Sequence, residues 1–178
     1  MLLAIAIILI ILISTMIVVI ITSLDSFNED IIRIDEAVSN IENVLNKRFD
    51  LLSKSIDVIK KHLNKDNITI KTIDEIKEKK LDNYTLDKKL YGAIKEFHVY
   101  GLDNFELKKA DEYTKVEIDL IETEAEIMAL KQYYNDLVDN YNKKIDKFPT
   151  SMVAKAKNYE PMKKFEMIDN TKVINKLK

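Results

Sequence analysis

The chain has 178 residues, room for one anchor and one compact domain, and a formal net charge of −2. Basic residues alternate with acids, which excludes an electrostatic footprint for nucleic acid, and the absence of cysteine excludes disulfides and thiolate ligands. Two glycines and two prolines provide few turns, so long helices are favoured over sheets.

Residues 1–24 contain no charged side chain, and the first charge is Asp25. About 20 apolar residues at ~1.5 Å rise each span a hydrocarbon core of ~30 Å. A cleaved signal peptide would carry a basic start, a shorter apolar core and a small-x-small cleavage site. Here Leu2 follows Met1 directly, and Ser14 and Thr15 lie inside the apolar run. The expectation is therefore an uncleaved signal anchor, in contact with membrane lipid through residues 1–24. No Lys or Arg precedes the span, Arg33 follows it closely, and Lys47 and Arg48 come later. By the positive-inside rule this points to a cytoplasmic C-terminal domain.

Beyond the anchor an apolar stripe runs Ile31, Ile34, Val38, Ile41, Leu45, Phe49, Leu52, Ile56, Ile59 and Leu63. Its mean step is close to the ~3.6 residues of a straight helix. Asp25 or Ser26 can cap this helix, with Glu29 and Asp30 in the first turn, or the helix runs unbroken out of the membrane. A turn is expected at residues 64–67. Short helices are expected over Thr72–Leu81 and Leu86–His98, the second capped by Asn83 or Thr85. Gly101 fits a C-cap, and Leu102–Ala110 reads as a loop.

A long helix follows from about Asp111 to Lys147, with Ile127, Leu130, Tyr134, Val138, Tyr141, Ile145 and Phe148 one turn apart. Pro149 ends it, because its ring fixes φ and it has no N–H to donate. A short helix is expected near Ser151–Lys157, and Glu166–Lys178 reads as a loose polar tail. The predicted architecture is all-α: an N-terminal transmembrane helix, then an up-down-up-down four-helix bundle over residues 25–148 with two long antiparallel helices, then the tail from residue 149.

With these elements laid out, the chain resembles the LemA family of bacterial single-pass membrane proteins. The resemblance rests on Glu124, Tyr134-Asn135, Tyr141-Asn142, Phe148-Pro149, Ala154, Tyr159 and Phe165-Glu166 along the last long helix and its tail. On the first long helix, Ile41 to Leu51 (IENVLNKRFDL) is similar to the family's I-D-V-x-L-x-x-R-x-D-L run. Phe27-Asn28 and Leu107-Lys108 also match. Lys131 stands where an arginine is usual, Asn158 where a glycine is usual, and Ser53–Ser55 lacks the expected Pro-Asn. The resemblance implies a membrane-anchored four-helix bundle with a cytoplasmic C-terminal domain, and it implies no enzyme activity or cofactor.

Arg48 and Glu124 fall on stripes that otherwise hold apolar residues, and antiparallel packing puts both at a similar distance from one end of the bundle. They are candidates for a buried ion pair that fixes helix register; the competing reading is that both reach solvent. Tyr133, Tyr134 and Tyr141 with Asn135 and Asn142 can line a binding groove, although amphipathic core edges satisfying nearby backbone is the favoured reading. The acidic run Glu117, Asp119, Glu122, Glu124 and Glu126 lacks the Glu-x-x-His partners of a di-iron bundle, since neither His62 nor His98 follows a glutamate by three. No Gly-rich loop or Gly-x-Ser-x-Gly turn is present, so no catalytic residue, metal or cofactor is expected.

The function expected is a non-enzymatic membrane scaffold or adaptor with protein partners as yet unidentified. Tyr134, Asn135, Tyr141, Asn142, Phe148, Pro149, Phe165 and Glu166 are its interaction candidates. An accessory subunit of a membrane enzyme such as a metalloprotease, and a ligand sensor with a pocket between helices, are the alternatives. Oligomeric state is left open by the sequence.

Overall fold

The computed structural model describes residues 1–63 and 68–167, the side chains of 61–63 and 68–72 aside. Among these residues the chain is all-α. Its helices are α1 (Leu2–Leu63), α2 (Ile68–Glu78), α3 (Asn83–Asp103), α4 (Phe105–Lys109), α5 (Asp111–Asp146) and α6 (Thr150–Lys157). They form two compact units: Met1–Val38 with Tyr133–Lys164, and Ser39–Gln132 with the described residues 165–167.

Helix α1 is 62 residues long and contains neither Gly nor Pro. It passes straight through Asp25 and Ser26, so neither acts as an N-cap: their amides are already inside the i→i−4 ladder. The apolar run at its start is exposed, and its hydroxyls turn back onto the helix. Ser14 Oγ donates to Ile10 O and Thr15 Oγ1 to Ile11 O, each at 2.8 Å, which removes their polarity from the surroundings.

In the first unit the core is Phe27, Ile34 and Ala37 of α1, Tyr134, Val138 and Tyr141 of α5, and Val153 and Ala154 of α6. The Phe27 ring meets Tyr141 edge-on at 5.7 Å between centroids and Tyr159 at 5.0 Å. Lys144 donates to Ser26 Oγ and lies within 2.6 Å of Asp30 Oδ2. Helix α6 closes on Asn158, whose φ of 54° and ψ of 40° are left-handed. Asparagine is the residue after glycine that tolerates this conformation, and the Tyr159 amide then reaches Ala154 O at 2.9 Å. Asn158 thus does the work of the glycine that the resemblance leads one to expect here.

In the second unit the helices run up, down, up and down. Lys47 and Arg48 of α1 face Glu126 and Glu124 of α5, Asp87 and Phe97 of α3 face Lys131 and Tyr113 of α5, and Glu75 of α2 faces Lys89 of α3. The first two pairings match rising numbers on one helix with falling numbers on the other, so α1 and α3 each run antiparallel to α5. The core holds Ile41, Leu45, Leu52, Ile59, Ile73, Leu90, Phe97, Leu107, Leu120 and Ile127, all almost fully buried.

Four local expectations change. Asp82, and neither Asn83 nor Thr85, caps α3: its Oδ1 accepts from the Tyr84 and Thr85 amides at 3.1 Å. Gly101 is no C-cap. It lies inside α3 without a positive φ, because the Tyr113 ring packs directly over it. The stretch expected as a loop, Leu102–Ala110, contains the end of α3 and the single turn α4, pinned by buried Leu107. Phe148 lies beyond the end of α5 and is 76% exposed, so the buried stripe stops at Tyr141 and half-buried Ile145. The turn expected at residues 64–67 and the tail from 168 onwards lie outside the described residues.

Candidate functional site: paired charges inside the bundle

Charged side chains are rarely buried, because leaving water costs more than one contact returns. The second unit buries two ion pairs. Arg48 Nη2 donates to Glu124 Oε2 at 2.6 Å, with the two side chains 2% and 13% exposed. Lys131 Nζ donates to Asp87 Oδ2, also at 2.6 Å, and both are buried. The four residues line one small cavity with Tyr91, Ile127, Met128 and Met167. Only about 10 Å³ of it is open to the centre of a water molecule, enough for one water at most and too little for a ligand. Arg48 Nε–H is buried with no hydrogen-bond partner among the described residues. The Phe165 ring, itself buried, lies 5.9 Å from Lys131 Nζ and 4.3 Å from the Tyr84 ring.

Helix periodicity places these charges. Arg48 lies three residues after Leu45 and four before Leu52; Glu124 lies four after Leu120 and three before Ile127. Lys131 and Asp87 follow the same rule, Lys131 between Ile127 and Tyr134, and Asp87 one turn before Leu90. Drawing the α5 stripe through Leu130 hides Lys131, whereas drawing it from Ile127 to Tyr134 exposes it as a charge on an apolar face.

A second polar group sits toward the other end of α3. His98 Nδ1 is 3.5 Å from Glu117 Oε1, and the one Tyr113 hydroxyl proton is shared between Phe97 O at 3.1 Å and Glu117 Oε1 at 3.3 Å. The His98 contact holds the Glu117 carboxyl below its usual range against the opposing effect of burial, with Lys108 and Tyr113 assisting. Burial drives the Tyr113 phenol far upward, and the Glu117 carboxylate adds to it. The sequence signal for Tyr113 was Gly101, an exceptional small residue at a point where two helices meet.

The Tyr-Asn residues of α5 in the first unit hold the chain's own tail. Tyr134 Oη donates to Lys163 O at 3.0 Å. Asn142 grips Met162 twice, its Nδ2 donating to Met162 O at 2.9 Å and its Oδ1 accepting from Met162 N at 2.8 Å. Asn135 and Tyr141 are buried, while Tyr133 faces solvent. Phe148 and Pro149, joined by a cis peptide bond, are exposed. Glu166 of the second unit meets Lys88 at 3.3 Å on the surface, a contact of little energetic weight.

Paired, enclosed charges of this kind can fix the register and partner choice of helices; they offer no open nucleophile or acid–base pair to a substrate. Among the described residues no group of three His, Asp or Glu side chains converges on a point that would hold a metal ion. The class so defined is an all-α helical bundle with polar pairs in its core, continuous with an N-terminal helix long and apolar enough to cross a membrane.

The particular family follows from the sequence profile described as the LemA family, which matches residues 37–177. The chain belongs to the LemA family. No curated protein matches it.

Proposed function

We propose that this protein is a non-enzymatic membrane-anchored bundle that recruits or scaffolds protein partners at the membrane surface. The observation that carries the reading is the continuity of α1: one helix of 62 residues begins as a charge-free apolar rod and ends as a core strut of the bundle. A helix that leaves the apolar run without a break joins the folded domain to the anchor through no loop or Gly/Pro-rich linker, which suits a scaffold at the membrane. The bundle lies on the cytoplasmic side in this reading, supported by Arg33 just behind the span and the lack of any Lys or Arg before it.

Replacement of residues 1–22 by an unrelated single-span anchor, followed by in-cell crosslinking, tests the proposal. A scaffold keeps its crosslinked partners with the foreign anchor and loses them when the anchor is deleted. Loss of partners with the foreign anchor would instead favour an accessory subunit that contacts a membrane enzyme, such as a metalloprotease, within the bilayer. The small cavity at Arg48 gives no support to a ligand sensor at that point.

A further inference from the structure

The first unit carries a groove of about 730 Å³ that is almost wholly apolar. One wall is Leu12, Met16, Val19 and Ile20 of α1, and the other includes Phe148 and Met152 at the α5–α6 corner and on α6. Exposed Phe148 and Met152 extend the apolar surface of α1 across this groove.

Three features name the occupant. The α1 wall belongs to the same charge-free run that is exposed on its remaining sides, so whatever medium covers that run is continuous with the groove. The groove extends along α1 from Leu12 to Leu24, twelve residues or ~18 Å at ~1.5 Å each, close to the depth of one leaflet of a ~30 Å hydrocarbon core with its interface. Its edge is basic. Lys157 lines it, Lys147 and Lys155 are exposed nearby in the chain, and Glu160 is the sole acid between Lys147 and Lys164. Lysines of this kind lay their stems along apolar surface and lift the ammonium to the phosphate level.

We propose that α6 and the Phe148–Pro149 corner are embedded in one leaflet beside the anchor, and that the groove holds a phospholipid acyl chain with its phosphate at Lys157. Helix α6 is then a collar that sets how far α1 sinks into the bilayer. This inference rests on the membrane-anchored reading.

The chain has no tryptophan, so single tryptophans report position without background. Met16→Trp, Met152→Trp and Val99→Trp would be made in the full chain and reconstituted into vesicles of phosphatidylcholine and phosphatidylglycerol brominated at shallow or deep acyl positions. Helical content by circular dichroism checks that each variant folds. The proposal expects strong quenching of Met16→Trp, quenching of Met152→Trp that is greatest with shallow bromines, and none for Val99→Trp on α3. Quenching at Met16→Trp with none at Met152→Trp would overturn the lipid-filled groove and leave the anchor reading standing. Absence of quenching at both positions would overturn both. Disulfide-linked dimers from Met152→Cys in the same vesicles, with Met152→Trp unquenched, would show a second copy in the groove and would also overturn the proposal.

Discussion

Replacing Arg48 with methionine removes a cation from a site where its side chain is only 2% exposed. Glu124, 13% exposed, then loses the guanidinium that donates to it at 2.6 Å. Lys131 is the remaining cation lining that cavity, and it already serves Asp87. Breaking one side of a buried pair costs ~3–5 kcal/mol. At ~2–4 °C per kcal/mol for a chain of this size, thermal unfolding in detergent followed by circular dichroism should shift down by roughly 6–20 °C. The Arg48→Met, Glu124→Leu double variant should recover most of that loss, because an apolar pair of similar volume is often neutral or better. A one-turn slip of α1 against α5 would set Glu124 opposite Leu45 or Leu52, so the double variant should also lose sharpness in near-ultraviolet dichroism if the pair fixes register. A shift below ~1 kcal/mol for Arg48→Met, the range of exposed pairs, would refute the reasoning.

Gly101→Ala puts a Cβ 2.8 Å from Tyr113 Cε1 and closer still to Cζ and the phenol oxygen, so thermal melts should show a loss of ~1–3 kcal/mol. Tyr113→Phe should not rescue it, because the ring carbons themselves obstruct. Asn142→Ala removes both hydrogen bonds to Met162 and should cost ~1–3 kcal/mol, with limited trypsin digestion cutting faster at Lys155 and Lys157. Because the folded Glu117 pKa is depressed below its ordinary 4.5, its contact with His98 contributes stability above that pH and loses it as pH falls through the folded value. Glu117→Gln should flatten the acid limb of a stability-versus-pH curve, and an unchanged limb would dismiss the contact.

The long elements were legible because they obey one rule over many turns. Helix α5, expected from about Asp111 to Lys147, runs Asp111–Asp146, and the helix expected near Ser151–Lys157 runs Thr150–Lys157. What periodicity missed depends on contacts distant in sequence. Gly101 has the composition of a helix end, yet it serves as the seat of a tyrosine twelve residues on. Short α4 has too few residues for a period and is held by one buried leucine, Leu107. Arg48 and Glu124 interrupt apolar stripes that the eye can follow, and the structure brings them together. Lys131 and Asp87 interrupt stripes just as plainly, but Lys131 adjoins Leu130, which offers a competing phase. The groove beside α6 had no signal in the sequence, because it exists only where residues more than a hundred positions apart are folded into one unit.

The proposed arrangement is a bundle held at the cytoplasmic face of a membrane by residues 1–24. Protease accessibility of a C-terminally tagged chain, compared between intact cells and inverted membrane vesicles, tests it most directly. In that arrangement the tag is protected in cells and digested in inverted vesicles, with the protein in the membrane fraction throughout. Digestion in intact cells, or a chain recovered in the soluble fraction, would contradict it.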